Sequence, residues 1–387
     1  MKIALLSTYC GHGGAAVAND RLAAALRSMG HDVTQISAGG TRHRVAFVAE
    51  RADIFARNGF NRADLFKVST ARFGQRISQI PAVKEADVVV LGWVNQGFTQ
   101  VDDLERIEAP MVWLMHDMWP LTGICHHAYE CRRYEHQCGR CQFIHRRPRE
   151  NDLSRQVHRA KEQLYGRRPI RFVAVSRWLA ECAQRSSLLR GADVSVIPNI
   201  FDFKANPMKR TGETHIAMGA ARLDDPIKGL PIAIEALNHL ADHRPELARR
   251  APLLLFGSVR NHRALDSLRY PHTMLGPVAN SMEVLSRSAV VLSTSLYETF
   301  GLTLLEGLAA GCIPVTFGNS GQAEVISHLR NGYVADSRSA LSIAKGIEWA
   351  LTQSTLTPEA LRAEAAQRFS PEAVGRQWDT LLQNLCH

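Results

Sequence analysis

The chain has 387 residues, of which 45% are apolar and 21% charged, an ordinary globular composition long enough for two domains of roughly 100–200 residues. No run of about 20 apolar residues occurs, which argues against a membrane-spanning helix. The first ten residues are too short for a signal peptide and read as a strand, so a cytoplasmic location is expected. The formal net charge of +9 points toward an anionic partner.

In chain order the pattern is alternating strands and helices. Residues 3–6 are an apolar run that leads into Gly11-His12-Gly13-Gly14, and Ala18, Leu22, Ala25, Leu26 and Met29 then recur at helical spacing. A second strand is expected at 33–37. Residues 42–80 are basic and weakly patterned, and read as helical. Buried strands follow at 88–91, 111–115, 172–175 and 194–197, with a helix over 177–190 capped by Ser176. A charged, proline-containing stretch, 198–213, reads as a linker. Beyond it come strands at 215–218, 253–256, 290–293 and 313–317, with helices at 230–240 and 302–310. A final helix over 371–385 has Val374, Trp378, Leu381, Leu382 and Leu385 on one face. Repeated βαβ units imply α/β domains with parallel sheets and right-handed crossovers.

Two clusters stand out from this background. Between Arg132 and Arg171 there are twelve Arg or Lys and four Asp or Glu, a local excess of eight. A solvated face is the plain reading; an acidic membrane surface or a phosphorylated acceptor is the functional one. Nucleic acid is disfavoured, because aromatic residues are not interleaved as a stacking platform needs. The second cluster is Cys125, Cys131, Cys138 and Cys141, spaced C-x5-C-x6-C-x2-C. In a reducing compartment clustered thiols suggest metal rather than disulfides, and four thiolates suit a closed, structural zinc site. Free surface thiols or an iron–sulfur cluster are the other readings.

The most informative segment runs from 293 to 317. Its loop opens onto a helix at Leu302, where unpaired backbone N–H groups favour a phosphate. Glu298 and Glu306 flank that anion site, eight residues apart. The segment resembles the E-x7-E region of the retaining glycosyltransferases often called GT4. Arg222-Leu-Asp-Asp-Pro-Ile-Lys228-Gly229 is similar to that family's R-L-x-x-x-K-G stretch, with five residues rather than the commoner spacing between the cations. Gly13 and Gly14 match its first glycine loop, and His116 matches its histidine at a strand end.

The resemblance implies a GT-B fold, two facing Rossmann-like domains with a cleft between them. It places an acceptor domain at 1–200 with a Cys-rich insertion at 120–145, a donor domain at 213–370, and a terminal helix, 371–387, that crosses back to the first domain. It implies retention of anomeric configuration, with His116 and Glu298 in the chemistry. Gly13, Gly14, Arg222, Lys228, Phe300, Gly301, Leu302 and Glu306 would bind a nucleotide-sugar donor. Arg222 and Lys228 would hold the diphosphate, Glu306 would hold the ribose, and no catalytic metal would be required. The lead-in Trp119-Pro-Leu-Thr-Gly-Ile-Cys125 resembles bacterial exopolysaccharide, O-antigen and colanic-acid transferases. That implies a saccharide acceptor linked to polyprenyl diphosphate at the inner face of a cell membrane. The rival readings are a non-catalytic sugar-nucleotide sensor or basic scaffold, and a synthase acting on soluble sugars.

Overall fold

The computed structural model describes residues 1–387 apart from positions 12, 147, 207, 209, 210 and 387, and apart from the side chains at 262 and 386. The chain forms two compact units, Met1–Pro198 with Val374–His387, and Asn199–Ala373.

In the first unit, β1 (Lys2–Ser7), β2 (Asp32–Ser37), β3 (Val88–Leu91), β4 (Met111–Met115), β5 (Ile170–Ala174) and β6 (Val194–Val196) form one sheet in the order β2-β1-β3-β4-β5-β6. Every pairing is parallel. Helices on both faces explain why β3 and β4 are apolar at every position: each of their residues is buried. The chain leaves β1 toward β2 on one side and later returns to β3 on the other. The carboxyl ends of β1 and β3 therefore flank a topological switch point, where open α/β sheets bind ligands. Helix α1 (Gly14–Ser28) starts there, and α2 (Gly40–Arg57) follows β2.

The second unit repeats the plan with β7 (His215–Arg222), β8 (Leu253–Ser258), β9 (His272–Gly276), β10 (Ser288–Ser293), β11 (Ile313–Phe317) and β12 (Tyr333–Ala335), ordered β12-β11-β10-β7-β8-β9. Its switch point lies between β7 and β10.

Several expectations are corrected here. The stretch 42–80 is helical only to Arg57; beyond it the chain is irregular as far as a short 3-10 turn at Ile77–Gln79. The helix after Ser176 stops at Arg185, five residues early. β9, β12 and the helices Leu153–Arg167, Ala340–Thr352 and Pro358–Phe369 were not anticipated. The terminal helix Pro371–Cys386 buries Val374, Trp378 and Leu382. Gly375 lies so close to α1 that a Cβ there would stand 2.5 Å from the Met29 Cε, and His31 meets Asp379 at 3.0 Å.

Candidate active site

In the second unit the functional side chains gather at the switch point. Arg222 is the last residue of β7, and the loop behind it is a single capped 3-10 turn. Asp225 caps that turn through the Ile227 N–H at 3.2 Å, Pro226 pre-sets its first φ, and Gly229 closes it in the left-handed region at φ 63°. The extra residues between the two cations are thus a compact device that delivers Lys228. The turn is tied to the strand beyond: Thr294 Oγ1 donates to the carbonyls of Lys228 and Gly229 at 3.0 and 3.1 Å, and Leu296 N–H donates to Ile227 O at 2.8 Å.

Lys228 Nζ donates to Glu298 Oε2 at 2.8 Å. The carboxylate holds the ammonium above its ordinary pKa, against the opposing effect of burial. Both side chains keep more than a quarter of their surface exposed, 29% and 27%, so a ligand can reach them. Arg222 stands 3.4 Å from both Asp224 and Asp225.

Glu298 and Glu306 lie on either side of the start of the helix Leu302–Ala309. Gly301 caps it at φ 88°, where a Cβ would press on Gln322 at 3.0 Å. Phe300 is buried edge-on against Phe369, with centroids 5.8 Å apart. Glu306 Oε2 accepts from Ser281 Oγ at 2.8 Å. Ser281 was not legible beforehand, because it stands in a short helix after an unanticipated strand. Thr316 Oγ1, Asn319 Oδ1 and Ser320 Oγ are buried here with no hydrogen-bond partner among the described residues, while Arg222 Nε and Asp224 Oδ1 face each other at 3.4 Å. Buried polar atoms are rarely left unpaired, so the three around the end of β11 mark a place a polar ligand or water would fill.

The first unit holds the remaining candidates. Gly13 caps α1 at φ 87° and ψ 145°, a conformation that favours glycine, and nothing lies within 4 Å of where its Cβ would stand. Gly14 begins α1; position 12 of the same loop lies outside the described residues. His116 follows β4 and meets Asn19 Oδ1 through Nε2 at 3.0 Å. Asn19 Nδ2 donates to Ser7 Oγ at 3.0 Å, so Oδ1 is the acceptor facing the ring. The network therefore assigns the proton to Nε2 and leaves Nδ1 as the acceptor nitrogen. Burial pushes the His116 pKa down to about 4, against the pull of Asp117, so the ring is neutral at pH 7. Gly92 makes room for this contact, since a Cβ there would fall 2.4 Å from Asn19 Nδ2.

Asp117 Oδ2 accepts from Trp93 Nε1 at 2.7 Å and meets His126 Nδ1 at 2.7 Å, while His126 Nε2 meets Ser69 Oγ at 3.0 Å. This row has the order of a nucleophilic triad, but Ser69 has no exposed surface. It works as a brace that fixes the Cys-rich insertion to the strand end carrying His116.

The basic run is in part bonded within the fold, while Arg133, Arg146, Arg149 and Arg159 are exposed. Arg132, Arg140, Arg167 and Arg171 pair with Glu135, Glu150, Glu105 and Asp193. Arg155 and Arg168 donate to backbone carbonyls. Lys161 is wholly buried. Position 147 lies outside the described residues. Among the described residues, no group of three or more His, Cys, Asp or Glu side chains is already arranged to hold a metal ion. No helix among them is long and apolar enough to cross a membrane.

Known proteins match both units. Residues 12–204 fit the family model described as Glycosyltransferase Family 4, and residues 203–369 fit Glycosyl transferases group 1. The structure is similar to HepE of Anabaena crystallised with UDP-glucose (TM-score 0.63, 17% identity, covering 99% of this chain and 100% of that one). It is also similar to a glycosyltransferase from Rickettsia africae (TM-score 0.63, 15% identity, 99% and 98%). A third likeness is to a sucrose-phosphate synthase from Thermosynechococcus elongatus (TM-score 0.64, 15% identity, 99% and 98%). No curated protein sequence matches the chain. Two parallel α/β units, each with its polar residues at a switch point, have the two-domain GT-B fold. With glycosyltransferase models fitting both halves in order, the chain is a glycosyltransferase.

Proposed function

We propose that the protein is a retaining, GT4-type glycosyltransferase that moves a sugar from a nucleotide-sugar, of which a UDP-sugar is the first to test, to a lipid-linked saccharide during surface polysaccharide assembly. The observation that carries the donor half is the Lys228–Glu298 pair, 2.8 Å apart, between the end of β7 and the helix Leu302–Ala309. When the glycosidic bond breaks, negative charge develops on the departing diphosphate. Lys228, Arg222 and the helix N-terminus are the groups that would receive it. Glu306 would accept from a ribose hydroxyl, exchanging its Ser281 contact. Glu298 orients Lys228 and would accept from the sugar. The neutral His116 suits a sugar hydroxyl rather than a phosphate.

A cavity in the first unit supports the lipid-linked acceptor. It measures about 870 Å³ and runs between α2 and the segment 73–81, and Gln75 Nε2 donates to Gly39 O beside it at 3.0 Å. Its walls are apolar at Val45, Ala49, Phe73 and Ile80. Arg42 and Arg76 supply positive charge, and no acidic residue lines it. None of the donor residues lines it either. Val45 and Val48 on α2 are 63% exposed and Phe66 nearby 64%, an arrangement suited to an amphiphile with an anionic head. The site of action would be the inner face of the cell membrane, reached peripherally.

The test is sugar transfer to a polyprenyl-diphosphate-linked saccharide against the same saccharide free in solution. The lipid-linked form should be preferred. Arg42→Ser with Arg76→Ser should raise its KM by roughly tenfold or more, the equivalent of about 1.4 kcal/mol, with the donor KM unchanged. Equal use of both acceptors would favour a synthase acting on soluble sugars.

A further inference from the structure

The Cys-rich insertion is a long connection held by very little regular structure. Between the 3-10 turn Trp119–Leu121 and the helix Leu153–Arg167, the only helical element among the described residues is the three-residue turn Arg133–Glu135. Connections longer than about 12–15 residues are uncommon inside compact domains unless something fixes them. One end of this one is fixed by a short antiparallel bridge, Val68 with Cys125, flanked by Ser69 N–H to Ile124 O at 2.8 Å. The middle is held by the Ser187 N–H to Tyr134 O bond at 3.0 Å and the Arg140 N–H to Arg149 O bond at 2.8 Å, and its four cysteines converge.

Cys125, Cys131, Cys138 and Cys141 all line one small cavity of about 20 Å³, and all four are free thiols. That volume accommodates one water-sized body. It is sufficient for one ion. The Gly123 N–H donates to Cys138 Sγ at 3.2 Å, the kind of support that orients a thiolate ligand. Cys138-Gly139-Arg140-Cys141 turns back on itself through positive φ at both middle residues, 150° and 43°.

A second observation is independent of the thiols' spacing. Lys161 is buried, and its Nζ donates to the carbonyls of Trp119, Thr122 and Gly123 at 2.5, 3.0 and 3.0 Å. It also stands 3.3 Å from the centre of the Trp119 ring, and no carboxylate forms an ion pair with it among the described residues. A buried ammonium is costly without a counter-charge. The helix that carries Lys161 also carries Arg155, whose Nη1 donates to Cys138 O at 3.2 Å.

We infer that this cavity is a structural zinc site. One Zn²⁺ is ligated by the four cysteines, which release their four thiol protons to solvent. The resulting tetrathiolate centre has a net charge of −2, and Lys161 and Arg155 lie where that charge needs offsetting. The sulfurs line the cavity without already meeting at ligand distances, and the ion draws them together as it binds. The bond ties the loop segments around the four cysteines together and so braces His126, hence Asp117 and the strand end bearing His116.

Elemental analysis of the full chain, purified under reducing conditions without chelator, should find about one zinc per molecule. Cys138→Ser with Cys141→Ser should lose it, whereas Cys10→Ser, at an exposed thiol outside the cluster, should retain it. Should the double variant fail to fold, an organomercurial titration of the unaltered protein gives the same reading: zinc leaves as the thiols react, and cobalt in its place absorbs as a tetrahedral thiolate complex. Absence of bound metal in the fresh reduced protein, iron with sulfide, zinc retained by the double variant, or a disulfide within the cluster would each overturn the assignment.

Discussion

Replacing Lys228 by alanine should lower the rate of sugar transfer by roughly 10²–10³-fold while leaving the fold intact, the loss seen when a preorganised electrostatic donor is removed. The expectation follows from where the charge appears. A bound donor already carries negative charge on its diphosphate, but more develops as the sugar departs. The cation therefore matters more in the transition state than in the ground state. The fall should appear mainly in kcat, with a smaller rise in donor KM. Lys228→Arg should not restore the rate, because a planar guanidinium does not reproduce a compact ammonium seated 2.8 Å from Glu298. Steady-state kinetics, with thermal melting as the folding control, measure this. A Lys228→Ala rate within about threefold of the parent, under about 1 kcal/mol, would remove the residue from the site.

A second large effect is expected at Gly229, which touches no substrate in this account. Its φ of 63° costs an L-residue about 1–2 kcal/mol, and a Cβ there would lie 2.1 Å from Thr294 O. That contact is with backbone, so the turn itself must move. The Thr294 bonds to Lys228 O and Gly229 O would loosen with it. Gly229→Ala should lower the apparent melting temperature by roughly 4–10 °C, corresponding to about 2–4 kcal/mol, and reduce transfer by misplacing Lys228. Gly276→Ala is the control: φ is 71°, but nothing lies within 4 Å of the added carbon, so only the backbone cost applies. Equal losses in the two variants would show that the close approach to Thr294 has no consequence.

The strands buried on both faces, such as Val88–Leu91 and Met111–Met115, were the plainest in the sequence, because their apolar runs leave little choice. β9 escaped because it is an edge strand exposed along most of its length, and β12 because it has only three residues. Two helices of the first unit blurred for one reason. α2 buries Glu50 and Arg51, paired at 2.8 Å, with Glu50 accepting from Thr70 N–H and Ala71 N–H. The helix Leu153–Arg167 buries His158 and Lys161 on its inward face. Charged residues pointing inward destroy the apolar periodicity by which a helix is recognised.

Local motifs in the site were legible: the two cations after β7 and the paired carboxylates around Leu302. Partners distant in sequence were not. Asn19 reaches His116 across 97 positions and Ser281 reaches Glu306 across 25, and neither belongs to a recognisable pattern.

The central claim is that the second unit binds a nucleotide-sugar through Lys228, Arg222 and Glu306. Calorimetric titration of UDP-, GDP-, ADP- and dTDP-sugars into the purified protein tests it most directly. One nucleotide class should bind saturably with a Kd between about 1 μM and 1 mM, and Lys228→Ala should weaken it by about tenfold or more, 1.4 kcal/mol or above. No heat of binding from any of the four at millimolar concentration, or equal affinity for the variant, would contradict the account.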